Sequence, residues 1–164
     1  MSSSERTIEI LKERFEDEIL QVEILYDFLT INLKPEKIVT IIEYLYNHPE
    51  TKLQYLTTLS GIHYPDQHQI AVMYQLHNLM SNERISLKVF LPEENPTVQT
   101  LTTVFAGANW LERETYDFFG VIFEGHPDLR RVLNVDEMII FPLRKEYPLE
   151  DQTREDKNDS MFGR

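Results

Sequence analysis

The pattern of apolar residues predicts an α+β fold, and three observations carry that expectation. Two pairs of alternating apolar runs, each joined by a short polar stretch, read as β-hairpins. Three other segments repeat their apolar residues every three or four positions and read as helices. The elements are ordered helix, hairpin, helix, strand, hairpin, helix rather than as a regular strand–helix alternation, so a parallel doubly wound sheet is not expected.

Ser4 is placed to cap the first helix, in which Ile8, Leu11 and Phe15 recur at helical spacing with Glu5 and Glu9 near the positive end. Between Ile19 and Leu33, residues Val22, Ile24 and Tyr26 alternate, and then Leu29, Ile31 and Leu33 alternate with the opposite parity. A two-residue period cannot change parity without a turn or bulge, so a hairpin bend is expected near Asp27 and Phe28. Pro35 suits the first turn of a second helix carrying Ile38, Ile41, Ile42, Leu45 and Tyr46, which His48-Pro49 ends. Leu53, Tyr55, Thr57 and Leu59 predict a short strand, which Ser60-Gly61 and then Tyr64-Pro65-Asp66 break. Ile70 to Leu76 and Ile85 to Leu91 alternate around a polar Ser81-Asn82-Glu83 turn and form the second hairpin. Thr97 is expected to cap a third helix bearing Leu101, Val104, Phe105, Ala108 and Leu111, weakened or divided at Gly107.

The chain has 164 residues, 28 acidic and 16 basic, with a formal charge of -12. One domain of this size buries roughly 70% of the surface its unfolded form exposes, so neither a cofactor nor a disulfide is needed for folding. The charge disfavours nucleic acid and anionic lipid as partners. The absence of cysteine excludes thiolate-bound zinc, cysteine-ligated iron–sulfur clusters and cysteine nucleophiles from this sequence. The opening Met-Ser-Ser-Ser-Glu-Arg has no secretory apolar core and no run approaches 18 apolar residues, so a cytoplasmic chain is expected. Five glycines include no nucleophile elbow, P-loop or dinucleotide fingerprint.

Residues 112–131 hold the densest group of charged, aromatic, Gly and Pro residues: Glu112-Arg113-Glu114-Thr115-Tyr116-Asp117-Phe118-Phe119-Gly120, then Val121 to Phe123, then Glu124-Gly125-His126-Pro127-Asp128-Leu129-Arg130-Arg131. On a helical wheel Trp110, Arg113, Glu114 and Asp117 share one arc and Leu111, Phe118 and Phe119 another, which predicts a charged face with an Arg113–Asp117 pair and a core face. Gly120 fits a helix stop, and Gly125-His126-Pro127 a restricted turn. Glu112, Glu114, Asp117, His126 and Asp128 could in principle compose a carboxylate–histidine metal enzyme, but the wheel separates Glu112 from Glu114 and Asp117 and no second histidine is near. From Asn134 onward periodicity is weak and the end, 150–164, is strongly charged, so this tail is expected to order only on partners.

The string from Glu112 to Arg131 resembles the signature of the 30 kDa subunit family of respiratory complex I, the proton-translocating NADH:quinone oxidoreductase. Glu112, Arg113, Glu114, Tyr116, Asp117, Phe119, Gly120, Phe123, His126, Pro127, Leu129, Arg130 and Arg131 carry the resemblance. Pro142-Leu143-Arg144-Lys145 followed by Glu146, Tyr147 and Pro148 is similar to a second family feature. Ile140-Phe141 stand where the family often has Gly-His. The resemblance implies a single two-layer α+β domain, a mixed β-sheet with helices on one face, spanning residues 1–133, and an extended partner-binding segment over 134–164. It implies a structural subunit of the peripheral arm, with no catalytic, cofactor-binding or metal-ligating residue of its own. FMN, iron–sulfur clusters and quinone would belong to neighbours, chiefly the large hydrogenase-like subunit and the subunit holding the terminal cluster, on the cytoplasmic face of the membrane. Glu112, Arg113, Glu114, Tyr116, Asp117, Gly120, His126, Pro127, Arg130, Arg131, Pro142, Arg144 and Lys145 are the residues expected to serve those partners. An equivalent subunit of a membrane-bound hydrogenase complex is the nearest alternative.

Overall fold

Alternation in the sequence becomes one apolar face of a five-stranded sheet. The structure, a computed structural model, describes residues 3–25 and 28–148, without the side chains of residues 3, 4 and 25. The Ser4 side chain and so its expected cap, the turn at Asp27 and the tail past residue 148 lie outside what is described. Helix α1 (Ser3–Phe15) leads into the hairpin of β1 (Ile19–Leu25) and β2 (Phe28–Leu33), followed by α2 (Ile38–Asn47). Strands β3 (Tyr55–Tyr64), β4 (Gln69–Asn78) and β5 (Glu83–Pro92) follow, then β6 (Thr97–Gln99), α3 (Ala108–Phe119) and β7 (Ile122–Glu124).

The strand order is β1-β2-β5-β4-β3, with β2 parallel to β5 and the other neighbours antiparallel, so the sheet is mixed. Register puts Ile31 beside Leu87 and Leu87 beside Tyr74, and Leu33 beside Val89 and Val89 beside Val72. These rows join Leu11 and Phe15 of α1, Ile38, Ile41, Ile42 and Leu45 of α2, and Ala108 and Phe119 of α3 in one buried core. Each such Leu, Ile or Phe side chain removed from water contributes about 1.5–3 kcal/mol, and the three helical faces are held by that burial. Pro35 opens a short 3-10 turn just before α2, as its fixed backbone allows.

Two expectations are corrected. The strand after Leu53 does not stop at Ser60-Gly61 but stays paired with β4 to Tyr64, and Gly61 makes room for α3: a Cβ there would lie 2.6 Å from the Phe119 ring. A register shift between Leu56 and Thr58 also reverses the parity, leaving Tyr55 and Thr57 exposed and Leu56 and Leu59 inside. Thr97 caps no helix; residues 97–99 pair in parallel with 122–124, and the helix begins at Ala108, immediately after Gly107. A long-range ladder takes the backbone groups that a local helix would have used.

Candidate functional site

The first half of the 112–131 segment is helix α3. The second half continues into residues 125–148, which contain neither helix nor strand and are here termed the strap. An α-helix leaves its last four carbonyls without intrahelical donors. Here Tyr116 O accepts the Gly120 N–H at 2.8 Å, while the next three are met by the strap. Asp117 O accepts Arg131 Nη1 (2.8 Å), Phe118 O accepts the Leu143 N–H (3.2 Å) and Phe119 O accepts Arg144 Nε (2.8 Å). Two guanidinium groups thus sit at the negative end of the helix, where a cation is favoured.

Asp117 is the centre of this junction. Its side chain is 0% exposed and that of Arg131 is 7% exposed. Oδ2 accepts the consecutive N–H groups of Val132, Leu133 and Asn134 at 3.0, 2.8 and 2.9 Å, and Oδ1 accepts Arg131 Nη1 at 2.8 Å and Asn134 Nδ2 at 3.0 Å. Burial pushes the carboxyl's pKa up, but the donors of Asn134, Leu133 and Arg131 outweigh it and hold the group well below the usual carboxylate range. Arg131 Nη2 reaches onward to Met138 O (2.7 Å) and Ile140 O (2.9 Å), so one planar fork joins the helix end to two later turns of the strap.

Phe141 is the apolar counterpart. The guanidinium carbons of Arg131 and Arg144 lie 5.1 and 5.0 Å from its ring centroid, and Tyr116 meets it edge-on at 6.1 Å. Gly120, at φ 77°, leaves room for the ring: a Cβ would stand 2.5 Å from Phe141 Cε2. The expected helix stop at Gly120 is therefore also a packing requirement.

Arg113 does not take the Asp117 partner that the wheel suggests. Its Nε donates to Arg130 O (3.2 Å) and its Nη2 to Arg131 O (3.3 Å), while the guanidinium stands 4.9 Å from the Trp110 ring. The charged arc of α3 is thereby covered by the strap: Arg113 and Asp117 are buried, whereas Glu114 is exposed. On the other arc Phe119 is buried and Leu111 and Phe118 are half-buried. His126 donates Nε2–H to Asn109 O (3.1 Å) and accepts the Asp128 N–H at Nδ1 (3.0 Å), a pairing that requires the neutral ring. The turn through Gly125 (φ 82°) and Pro127 returns the chain toward the start of α3. Arg130 points outward, its side chain 66% exposed, and pairs with Asp128 at 3.0 Å. Lys145 is exposed, and Pro142 and Arg144 are half-buried.

Glu112 is equally buried but has no cationic partner among the described residues. Oε2 accepts the Thr100 hydroxyl at 2.5 Å and Oε1 the Leu101 N–H at 2.6 Å. Burial lifts its pKa to about 7, partly offset by those two donors. Tyr74, whose buried Oη has no hydrogen-bond partner among the described residues, is pushed up by burial and then by the Glu112 charge. Glu112, Asp117 and His126 are engaged by different segments, Glu114 faces solvent, and with Asp128 these residues form no metal-ligating group among the described residues. The sequence singles out Asp117, Arg131 and Gly120 but not Thr100, Asn134 or Phe141. The last three carry no local pattern and matter through contacts with distant residues.

Residues 31–153 match the family described as respiratory-chain NADH dehydrogenase, 30 Kd subunit. An NADH-quinone oxidoreductase subunit of Geobacter metallireducens is 35% identical over 94% of this chain and 96% of its own length. The corresponding NADH-quinone oxidoreductase subunit of Mycolicibacterium gilvum is 37% identical over 84% of this chain but 62% of its own length. Among solved structures, a trypsin-resistant fragment of Nqo5 aligns with TM-score 0.63 and 29% identity, covering 78% of this chain and all of the fragment. A chain of an archaeal membrane-bound sulfane sulfur reductase shares the fold at TM-score 0.75 and 19% identity, covering 90% of this chain and 87% of that one. No helix among the described residues is long and apolar enough to cross a membrane. With its signature folded into a strap-capped helix and most of its length matched by these relatives, the chain belongs to the 30 kDa subunit family of respiratory-chain NADH dehydrogenase.

Proposed function

We propose that this peripheral-arm subunit of NADH-quinone oxidoreductase is a brace with no catalytic activity of its own, and that the outer face of the strap is where it grips its neighbours. The observation that carries this reading is the division of labour within the strap. Its inward groups cap α3, while Leu133, Val135, Ile139 and Leu143 are exposed, Ile139 to 92%. Apolar side chains gathered on one irregular segment are what an interface core requires, and Arg130 supplies a guanidinium at its rim. FMN, iron–sulfur clusters and quinone are then carried by partners, chiefly the large hydrogenase-like subunit and the subunit holding the terminal cluster. The cytoplasmic face of the membrane is the corresponding location. Partner contact falls to Arg130, Lys145, Glu114 and the solvent side of Arg144. Arg131, Arg113, Asp117, Tyr116, Gly120, His126 and Pro127 serve it indirectly by shaping the strap, and Glu112 by closing the loop before α3.

The test is association of the tagged full-length chain with the complex in mild detergent. Ile139→Asp and Arg130→Glu alter side chains that make no core contact, so each should keep the fold while reducing recovery of the partner subunits. Undiminished recovery with both changes together would remove the strap from the interface.

A further inference from the structure

The end of β3 carries a buried histidine that none of the signature geometry uses. The His63 side chain is 1% exposed. Its Nδ1 accepts the backbone N–H of Lys145 at 2.9 Å. A backbone amide can only donate, so Nδ1 is the unprotonated nitrogen and Nε2–H is donated to Glu93 Oε1 at 3.0 Å. A second carboxylate waits beside the first bond: Glu146 Oε2 lies 3.7 Å from the same Nδ1 and is 44% exposed. Glu93 also faces His68 Nδ1 at 3.5 Å, and the Lys145 ammonium is turned to solvent. The ligand atoms of His63, Glu93 and Glu146 fall within 4.8 Å of one another, yet both ring nitrogens are engaged and neither offers a metal ion a free lone pair.

We propose that His63 is a proton-operated latch on the strap. Neutral, it holds the Lys145 amide; protonated at Nδ1, it surrenders that amide and takes the Glu146 carboxylate, moving the 145–146 peptide along the end of β3. The proton comes from solvent and occupies the lone pair that had accepted the amide. Nε2–H stays on Glu93 in both states, so the ring is a fixed pivot and only its strap-side partner changes. The Glu146 carboxylate is exposed and free to advance from 3.7 Å to accept an Nδ1–H. Histidine is the side chain whose charge most readily changes between about pH 5 and 8. Its consequence for assembly rests on the strap being the gripping surface proposed above; the latch itself does not.

Amide hydrogen exchange of the full-length chain, followed by NMR as protection relative to an unstructured amide at the same pH, tests the exchange of partners. Between about pH 8 and about pH 5.5 the Lys145 amide should lose about tenfold in protection, the loss expected for one hydrogen bond, while the Leu143 amide, bonded to Phe118 O, keeps its own. In His63→Gln, which can still accept from Lys145 and donate to Glu93, Lys145 protection should be the same at both pH values. In Glu146→Ala, an exposed change that leaves the core alone and removes the acceptor, the acid state lacks its new partner and Leu143 should lose protection as well. Constant Lys145 protection in the unsubstituted chain, or a drop that persists in His63→Gln, would overturn the latch; unaltered Leu143 in Glu146→Ala would overturn the carboxylate exchange. Failure here leaves partner recovery in detergent untouched, so the two ideas fall separately.

Discussion

Glu112 and Asp117 are both wholly buried carboxyl groups on α3, five positions apart, and the protein treats them oppositely. Asp117 receives five hydrogen bonds, one from a guanidinium, and is held ionised. Among the described residues Glu112 receives two, neither from a cation, and its proton is held up to about pH 7. The helix dipole alone would predict the reverse, since Glu112 is nearer the positive end and Asp117 nearer the negative one. Local donors therefore decide the ionisation here, and most of those donors arrive from the strap. The strap stabilises the folded chain through a charge that it must itself neutralise.

Removing that charge should have the largest effect. Asp117→Asn leaves Arg131 buried without its counter-ion, and a loss of about 3–5 kcal/mol in urea unfolding is expected, with the 132–134 amides losing exchange protection. A loss below about 1 kcal/mol would mean that the strap is fastened elsewhere. Gly120→Ala follows, at about 2 kcal/mol, because a left-handed backbone and the Phe141 ring both oppose a Cβ there. If Phe141→Ala relieves part of the cost in a double-mutant cycle, the ring contact is the cause.

The two acids should also tilt stability with pH in opposite directions. Glu112, raised from an ordinary 4.5 to about 7, contributes stability that is complete below 4.5 and lost as pH rises through about 7. Asp117, depressed below an ordinary 3.8, contributes stability present above that value and lost as pH falls. Thermal unfolding should therefore show a decline between about pH 5 and about pH 7.5 that Glu112→Gln flattens, while the acid limb remains. An unchanged slope in that variant would assign the decline to another group. Smallest of all, Arg130→Ala should change stability by less than about 0.5 kcal/mol, since its pair with Asp128 is exposed.

The same contrast governs what can be read from the residues. Both hairpins, the 38–47 helix and the stop at Gly120 follow from local periodicity, and the structure has them where the alternation of Ile70 to Leu76 and Ile85 to Leu91 puts them. Gly61 reads as a break because a strand glycine usually weakens a strand; its reason is a helix ring on the far side of the layer. Thr97 reads as a cap because the competing ladder lies some twenty-five residues ahead. A helical wheel treats the face away from the core as wet, and α3 defeats it because an irregular segment returns to cover Arg113 and Asp117. The run Arg130-Arg131 is plain in the sequence, but which fork is consumed inside the chain and which is left outside depends on the turn at Gly125 to Pro127.

The parallel pairing of β2 with β5 reaches from residues 29–33 to residues 85–89. During synthesis the N-terminal hairpin therefore emerges with one flank bare and must wait for some fifty further residues before its neighbour exists. Such distant closures slow folding and lengthen the time an apolar strand is available to other chains. A ribosome paused near residue 80 would hold out Leu29, Ile31 and Leu33 before their β5 neighbours exist, with that flank unpaired.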